Sequence, residues 1–190
     1  IGPAEGDCSS LEGFIEKLKS GDNAVTVAIT GLGSPGGLAS VALSKGFGKQ
    51  VKTVTYDSSS DCALAVVTGE CDATFAPVTV VTGQIEAGTL KTIAVTTAEE
   101  SDSLPGVPSI AQNYSECADM NLRSVCFLGA LGDTDPEIVQ WLSDTLNEAV
   151  ASQSYADLTA PMMMTPKVWD MDGMSQYCKE AYEYYVSILK

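Results

Sequence analysis

The sequence contains no histidine and a single arginine, Arg123. The first absence removes imidazole acid–base catalysis, Ser-His-Asp and Cys-His nucleophile pairs, and most transition-metal sites. The second leaves one side chain able to clamp an anion with two parallel hydrogen bonds. Basic residues are few altogether: 10 Lys plus Arg stand against 25 Asp plus Glu, a formal net charge of −15. Such a surface repels phosphate backbones and anionic headgroups, which argues against nucleic acid and membrane-surface partners. No apolar run reaches the ~18 residues of a membrane span. Aromatics make up only 7% of the chain, yet 45% of its 190 residues are hydrophobic. That supports an ordinary globular interior in one large or two small domains and argues against disorder. The chain opens at Ile1 with neither an initiator Met nor a signal peptide, as a processed or shortened form would.

Six cysteines are present: Cys8, Cys62, Cys71, Cys117, Cys126 and Cys178. None forms a C-x-x-C pair, and no histidine completes a zinc site, so structural zinc is not expected. The even count suits disulfides in an extracytoplasmic protein, and buried free thiols suit it almost as well. Cys117–Cys126 is the best local candidate for a bridge. Cys62 and Cys71 bracket a predicted helix and would stand roughly 13 Å apart along it, too far for a bond unless the helix ends early. The run Met162-Met163-Met164 points in three directions and reads as a buried segment, and no D-x-D-x-D-G calcium loop is present. No metal and no cofactor is expected.

The chain alternates strand and helix patterns. Ser9-Ser10-Leu11-Glu12 caps a helix to Lys19 with Phe14, Ile15 and Leu18 on its apolar face. Ala24 to Thr30 reads as a strand, Leu38 to Lys45 as a helix, Lys52 to Tyr56 as a strand, and Cys62 to Thr68 as a helix stopped by Gly69. Asp72 to Ala76 is a short strand, Pro77 to Ala87 a helix and Thr92 to Thr96 a strand. Ala98 to Pro108 is a surface loop. Ser124 to Leu131 reads as a strand, and Asp135-Pro136-Glu137 opens a helix. Met171 to Leu189 is the last helix, with Tyr177, Ala181, Tyr185 and Ile188 at helical spacing. Alternating βα units predict an α/β fold with a largely parallel sheet.

In such sheets, ligands sit beyond the carboxyl ends of the strands. Three loops qualify: Thr30 to Gly37, Tyr56 to Ser60, and Ala76 to Val78. The first is glycine-rich and leads into a helix, so its N–H groups and the helix N-terminus suit an anion. It is not a Walker loop, because no Gly-Lys-Ser/Thr follows. Its G-x-G-x-x-G spacing, Gly31 to Gly36, lacks an acidic residue at the end of the next strand. A tight turn explains the glycines equally well, a helix cap explains Ser58 to Ser60, and Tyr56 fits either core or cleft wall. No nucleophile–base pair is visible, so no catalysis is expected.

Several segments resemble the tripartite tricarboxylate transporter substrate-binding proteins, the Bug or TctC family. Val54-Thr55-Tyr56-Asp57-Ser58-Ser59-Ser60 with Gly69-Glu70-Cys71-Asp72-Ala73-Thr74-Phe75-Ala76 is similar to "VPYKGG…GGxVDxxF". Ile85 to Thr96 is similar to "IKAGKLRALAVT", and Leu104 to Ala111 to "LPDVPTVAE". Gly31 to Gly37 resembles "GSxGxGS", and Thr134 to Val139 "GTPxEIV". The likeness runs from about Ser9 to the C-terminus, in order. It implies a type II, flytrap-like periplasmic-binding-protein lobe over residues 9–118. Residues 119–190 would be a crossing strand and C-terminal helices of a partial first lobe, whose upstream part has no counterpart here. It also implies a small organic acid as ligand, membrane permease subunits as partners and an extracytoplasmic location. Carried over by position, the ligand-binding residues are Gly33, Ser34, Gly36, Tyr56, Ser58 and Ala76. Asp57 stands where the family motif has lysine, which either selects a ligand with a cationic group or turns a side chain outward.

Three functions are weighed from the residues. The first is a solute receptor that closes on a small carboxylate and does no chemistry. The second is a sensory or interaction module that no longer transports, self-associating through the C-terminal helices. The third and weakest is an α/β enzyme holding a phosphorylated substrate on the glycine loop.

Overall fold

The computed structural model describes residues 1–164 and 166–190. These divide into two compact units, Ile1–Ser124 and Val125–Ile188, with Leu189 grouped with the first and Lys190 with the second.

The first unit opens with a two-residue strand, β1 (Gly2–Pro3), and helix α1 (Leu11–Lys19). Ser10, not Ser9, caps α1, its Oγ accepting from Gly13 N–H. Leu11, Phe14, Ile15 and Leu18 are buried at 3% exposure or less, as the helical spacing requires. Then come β2 (Thr26–Ile29), α2 (Pro35–Phe47), β3 (Lys52–Thr55), α3 (Ser59–Val67) and β4 (Ala73–Thr74). Proline at the first helical position and Gly48 in the left-handed region just past the end bound α2. The expected Pro77–Ala87 helix is split into a 3-10 turn at Val78–Val80 and the short α4 (Thr82–Glu86). Pro77 and the β-branched run Val78 to Val81 favour a tight turn over α-helix at its start. Strand β5 is Leu90–Lys91, not Thr92–Thr96. Of the latter only Val95 makes a bridge, parallel to Ser109, which caps α5 (Ile110–Asn113).

Strands β3, β2 and β4 are parallel, with β2 in the middle: Ala28 lies opposite Val54 on one side and Thr74 on the other. β1 pairs antiparallel with β5. Ile1 and Thr74 exchange both main-chain hydrogen bonds at 3.0 Å, the antiparallel pattern. The strands form two sheets, β3-β2-β4 and β1-β5, and the Ile1–Thr74 pair ties the β4 edge of the first to the residue that leads into β1. Side-chain alternation along β2 sends Ala28 to one face and Val27 and Ile29 to the other. Ala28 packs with Cys62, Ala63 and Val66 of α3 and with Val81 and Leu90. Ile29 lies on the α2 side, its Cγ2 3.6 Å from where a Cβ on Gly36 would be.

The second unit holds α6 (Pro136–Val150), α7 (Gln153–Thr159) and α8 (Met171–Leu189). Asp135 caps α6, accepting from Glu137 N–H, and Asp170 caps α8, accepting from Gly173 N–H. The expected Ser124–Leu131 strand does not form: its apolar residues Val125, Phe127, Leu128 and Leu131 are exposed and pair with no strand among the described residues. Ile138, Trp141 and Leu146 of α6 and Tyr182 of α8 are also exposed.

The expected Cys117–Cys126 bridge is absent. All six cysteines are free thiols, with Cys8, Cys62, Cys71 and Cys117 buried and Cys126 and Cys178 exposed. Cys117 is enclosed instead: a Cβ at Gly46 would approach its Sγ to 2.9 Å. No described helix is long and apolar enough to cross a membrane.

Candidate functional site

Three loops emerge at one edge of the parallel strands: residues 30–34 after β2, 56–58 after β3 and 75–77 after β4. The chain steps from β2 out to β3, then returns past β2 to β4. The β2 loop departs into α2 on the Ile29 face. The β4 loop departs toward Val81 and Ile85, which pack on the Ala28 face. Neighbouring loops leaving a parallel sheet on opposite faces leave a crevice between them, the usual ligand position in such folds.

The β2 loop is built by Ser34. Its N–H and Oγ both donate to Gly31 carbonyl, at 3.1 and 2.7 Å, and its Oγ accepts from Gly37 N–H at 3.2 Å. Gly31 has φ 152, a conformation L side chains rarely adopt. Gly37 leaves no room for a side chain, since a Cβ there would lie 2.4 Å from Leu32 carbonyl oxygen. Pro35 has no N–H, Gly37 is engaged by Ser34 Oγ and Leu38 N–H by Ser34 carbonyl. Gly36 is thus the first-turn donor that the cap does not consume. No acidic residue occupies the first turn of α2, so its positive end is not internally compensated. Gly33 is exposed with open space around it. Gly36 faces the β4 loop, where a Cβ would lie 3.2 Å from both Cβ and the carbonyl oxygen of Phe75. Half-buried Ala76 follows directly. The structure therefore keeps Gly33, Ser34 and Gly36 together in the β2 loop and the start of α2, and sets buried Gly36 against Phe75, the residue before Ala76.

The β3 loop differs. Ser58 caps α3: its Oγ accepts from Asp61 N–H at 3.1 Å and donates to Asp61 Oδ2 at 2.7 Å. The α3 terminus already carries its own carboxylate. Tyr56 continues the β3 ladder, donating its N–H to Ile29 carbonyl at 2.9 Å. Its ring packs on the α3 core cluster, and its hydroxyl meets Cys71 Sγ at 3.7 Å and donates to Glu70 Oε2 at 3.1 Å. The Cys71 contact, desolvation and then Glu70 hold the phenol well above its usual pKa. Sequence placed Tyr56 at the sheet edge but left its phenol undecided between core and cleft; in the structure it is engaged by residues preceding β4. Phe75, the neighbour against which Gly36 packs, was not singled out as a site residue, and its proximity to Gly36 had no local signal in the sequence. Among the described residues no cluster of His, Cys, Asp or Glu is placed to hold a metal ion.

The β2 loop therefore offers main-chain N–H groups at a helix N-terminus, a chemistry suited to an anion, while the hydroxyls of Ser34, Ser58 and Tyr56 donate to groups of the protein itself. The chain is similar to protein BugT of Bordetella pertussis, 23% identical over 182 residues that cover 95% of this chain and 55% of that protein. Among solved structures it is similar to Rpa4515 of R. palustris with adipate, at 20% identity and TM-score 0.76, over 94% of this chain and 60% of that one. It is likewise similar to MatC (Rpa3494) of Rhodopseudomonas palustris with bound malate, at 16% identity and TM-score 0.76, over the whole of this chain and 65% of that one. The chain thus spans little more than half the length of BugT and less than two thirds of either solved structure. These likenesses fix the fold as the periplasmic-binding-protein α/β type with a largely parallel sheet. The model of the family described as "Tripartite tricarboxylate transporter family receptor" matches residues 1–190, and the chain belongs to that family.

Proposed function

We propose that this chain provides ligand-binding loops of an extracytoplasmic solute-binding protein that captures a small carboxylate for a tripartite tricarboxylate-type transporter. The observation that supports this most directly is the glycine-rich β2 loop, shaped by Ser34 onto the uncompensated N-terminus of α2, at the point where neighbouring βα connections part to opposite faces. A carboxylate placed there accepts from Gly33 and Gly36 N–H groups and meets the positive end of α2. Ser34 holds that loop in shape, and Ala76 forms the facing wall. Ser58 and the Tyr56 main chain border the site on the β3 side. No bond is made or broken; binding is read out by closure around the ligand and handover to permease subunits. The relatives with malate and adipate support a dicarboxylate. The exposed apolar residues of α6 and α8 support a second role for residues 119–190 in packing against another polypeptide surface, including a second copy.

Isothermal titration of the purified chain with malate, adipate and citrate, paired with native mass spectrometry, tests the reading. One acid binding at a 1:1 ratio, and losing affinity when Gly36 is replaced by valine, is expected. No binding by any of the three overturns it.

A further inference from the structure

Phe75 is the first residue after β4, and it is the residue that a Cβ on Gly36 would meet first. Its position is fixed on two sides. Next to it, Thr74 is clamped to the sheet: Oγ1 donates to Ala28 carbonyl at 3.0 Å, and its main chain exchanges two hydrogen bonds with Ile1. Phe75 itself, half-buried, helps line an apolar recess with Leu11 and Phe14 of α1, Ile93 and Ile110. The backbone entering the β4 loop is thus held to the sheet by Thr74, while the side chain is anchored among residues from distant parts of the chain. Gly36 then approaches so closely that a single Cβ would crowd both Cβ and the carbonyl oxygen of Phe75 at 3.2 Å.

We infer that Phe75 is a positioning residue whose anchored side chain sets the spacing between the β2 and β4 loops, and hence the width of the crevice. This rests on the reading of that crevice as the ligand site. Hydrogen bonds from two loops to one small anion tolerate only a few tenths of an ångström, since N–H to oxygen distances fall within about 2.7–3.2 Å. Removing the ring frees the β4 loop to shift relative to Gly36. A branched aliphatic side chain of similar reach keeps the anchor.

The experiment uses amide-resolved NMR of the 190-residue chain in Phe75→Ala and Phe75→Leu forms. Without ligand, Phe75→Ala displaces the Gly33, Gly36 and Gly37 amide resonances, while the β3 amides of Lys52 to Thr55 stay in place and report an intact fold. Phe75→Leu leaves both sets near wild type. Titrated with malate and adipate, Phe75→Ala binds at least about tenfold more weakly than wild type, a tenfold change in Kd being the step this assay resolves with ease. Phe75→Leu restores the affinity. Unmoved glycine resonances in Phe75→Ala overturn the positioning role, and so does Phe75→Leu being as damaging as Phe75→Ala. Should Phe75→Ala lose the β3 amides through unfolding, Phe75→Val replaces it under the same criteria. If wild type binds neither of these acids nor citrate, the solute-binding reading fails by itself, while the ligand-free shifts still decide whether Phe75 sets the loop spacing.

Discussion

Two adjacent glycines, Gly36 and Gly37, are expected to respond unequally to the same substitution. At Gly37 an alanine Cβ would lie 2.4 Å from Leu32 carbonyl oxygen, 2.5 Å from Gly31 carbonyl oxygen and 2.6 Å from Leu32 carbonyl carbon. All three are main-chain atoms of the loop that Ser34 ties together, so no side chain can turn aside. The loop has to retreat by about 1 Å to reach ordinary contact distance. Overpacking of this kind costs about 1–3 kcal/mol. The shift also strains the Gly37 N–H to Ser34 Oγ cap, itself worth about 1 kcal/mol. Alanine's better helix propensity returns at most ~1 kcal/mol. Gly37→Ala is therefore expected to destabilise by about 1–3 kcal/mol. At Gly36 the closest contacts are 3.2 Å, so a shift of a few tenths of an ångström suffices and the propensity gain offsets it. Gly36→Ala is expected within about 0.5 kcal/mol of wild type. Native-state hydrogen exchange at the β2 amides of Val27, Ala28 and Ile29 reports the first unit alone. Equal exchange in the two variants, or wild-type protection in Gly37→Ala, would refute the reasoning.

Asp72 ties α1 to the sheet, its Oδ1 accepting from Lys17 Nζ at 2.7 Å and its Oδ2 from Thr26 N–H at 2.8 Å. Its side chain is 25% exposed, so the two charge-assisted bonds count below their buried strength. Asp72→Ala is expected to cost about 2–3 kcal/mol and Asp72→Asn less, by urea denaturation. Stability also depends on alkaline pH. Burial, then the Glu116 carboxylate, pushes the Cys117 thiol from 9.0 up to about 11, and burial likewise raises Cys8, Cys62 and Cys71. A raised thiol means the folded state binds its proton more tightly. Its contribution is complete below pH 9 and disappears as pH climbs through 11. Urea midpoints measured across that window should fall, and Cys117→Ala should flatten the fall; a flat wild-type profile contradicts the burial of these thiols. Finally, a thiol-specific reagent should label Cys126 and Cys178 rapidly and the other four cysteines only on unfolding. Rapid labelling of all six would exclude the buried placement of Cys8, Cys62, Cys71 and Cys117.

What the sequence makes legible is the local chemistry. Pro136 one step inside a helix and Asp135 as its cap act within four residues and are found where the residues indicate, whereas α2 begins at Pro35, three residues before the expected Leu38, and α3 at Ser59 rather than Cys62. The three loops at one sheet edge follow from alternating βα units. Strands were harder. Ser124 to Leu131 has the composition of a strand, but a strand exists only when a partner pairs with it, and composition cannot supply one. Gly2–Pro3 has the wrong composition and is a strand nonetheless, because Leu90 and Lys91 lie alongside. Tyr56 shows the same limit at the level of a side chain. Its backbone position followed from the strand pattern, while the direction of its phenol depends on Cys71 and Glu70, far along the chain.

The reciprocal bonds between Ile1 and Thr74 have a consequence in time. They join residues 73 apart in sequence. During synthesis β1 precedes both β4 and β5, so neither partner exists when it emerges. The βα units of β2, β3 and β4 close through short connections, whereas β1 waits for a long loop to shut, the slower kind of contact. Until it inserts, β4 and β5 present unpaired main-chain edges toward each other. Assembly here is therefore retrospective: a strand made before both of its partners is seated only after them.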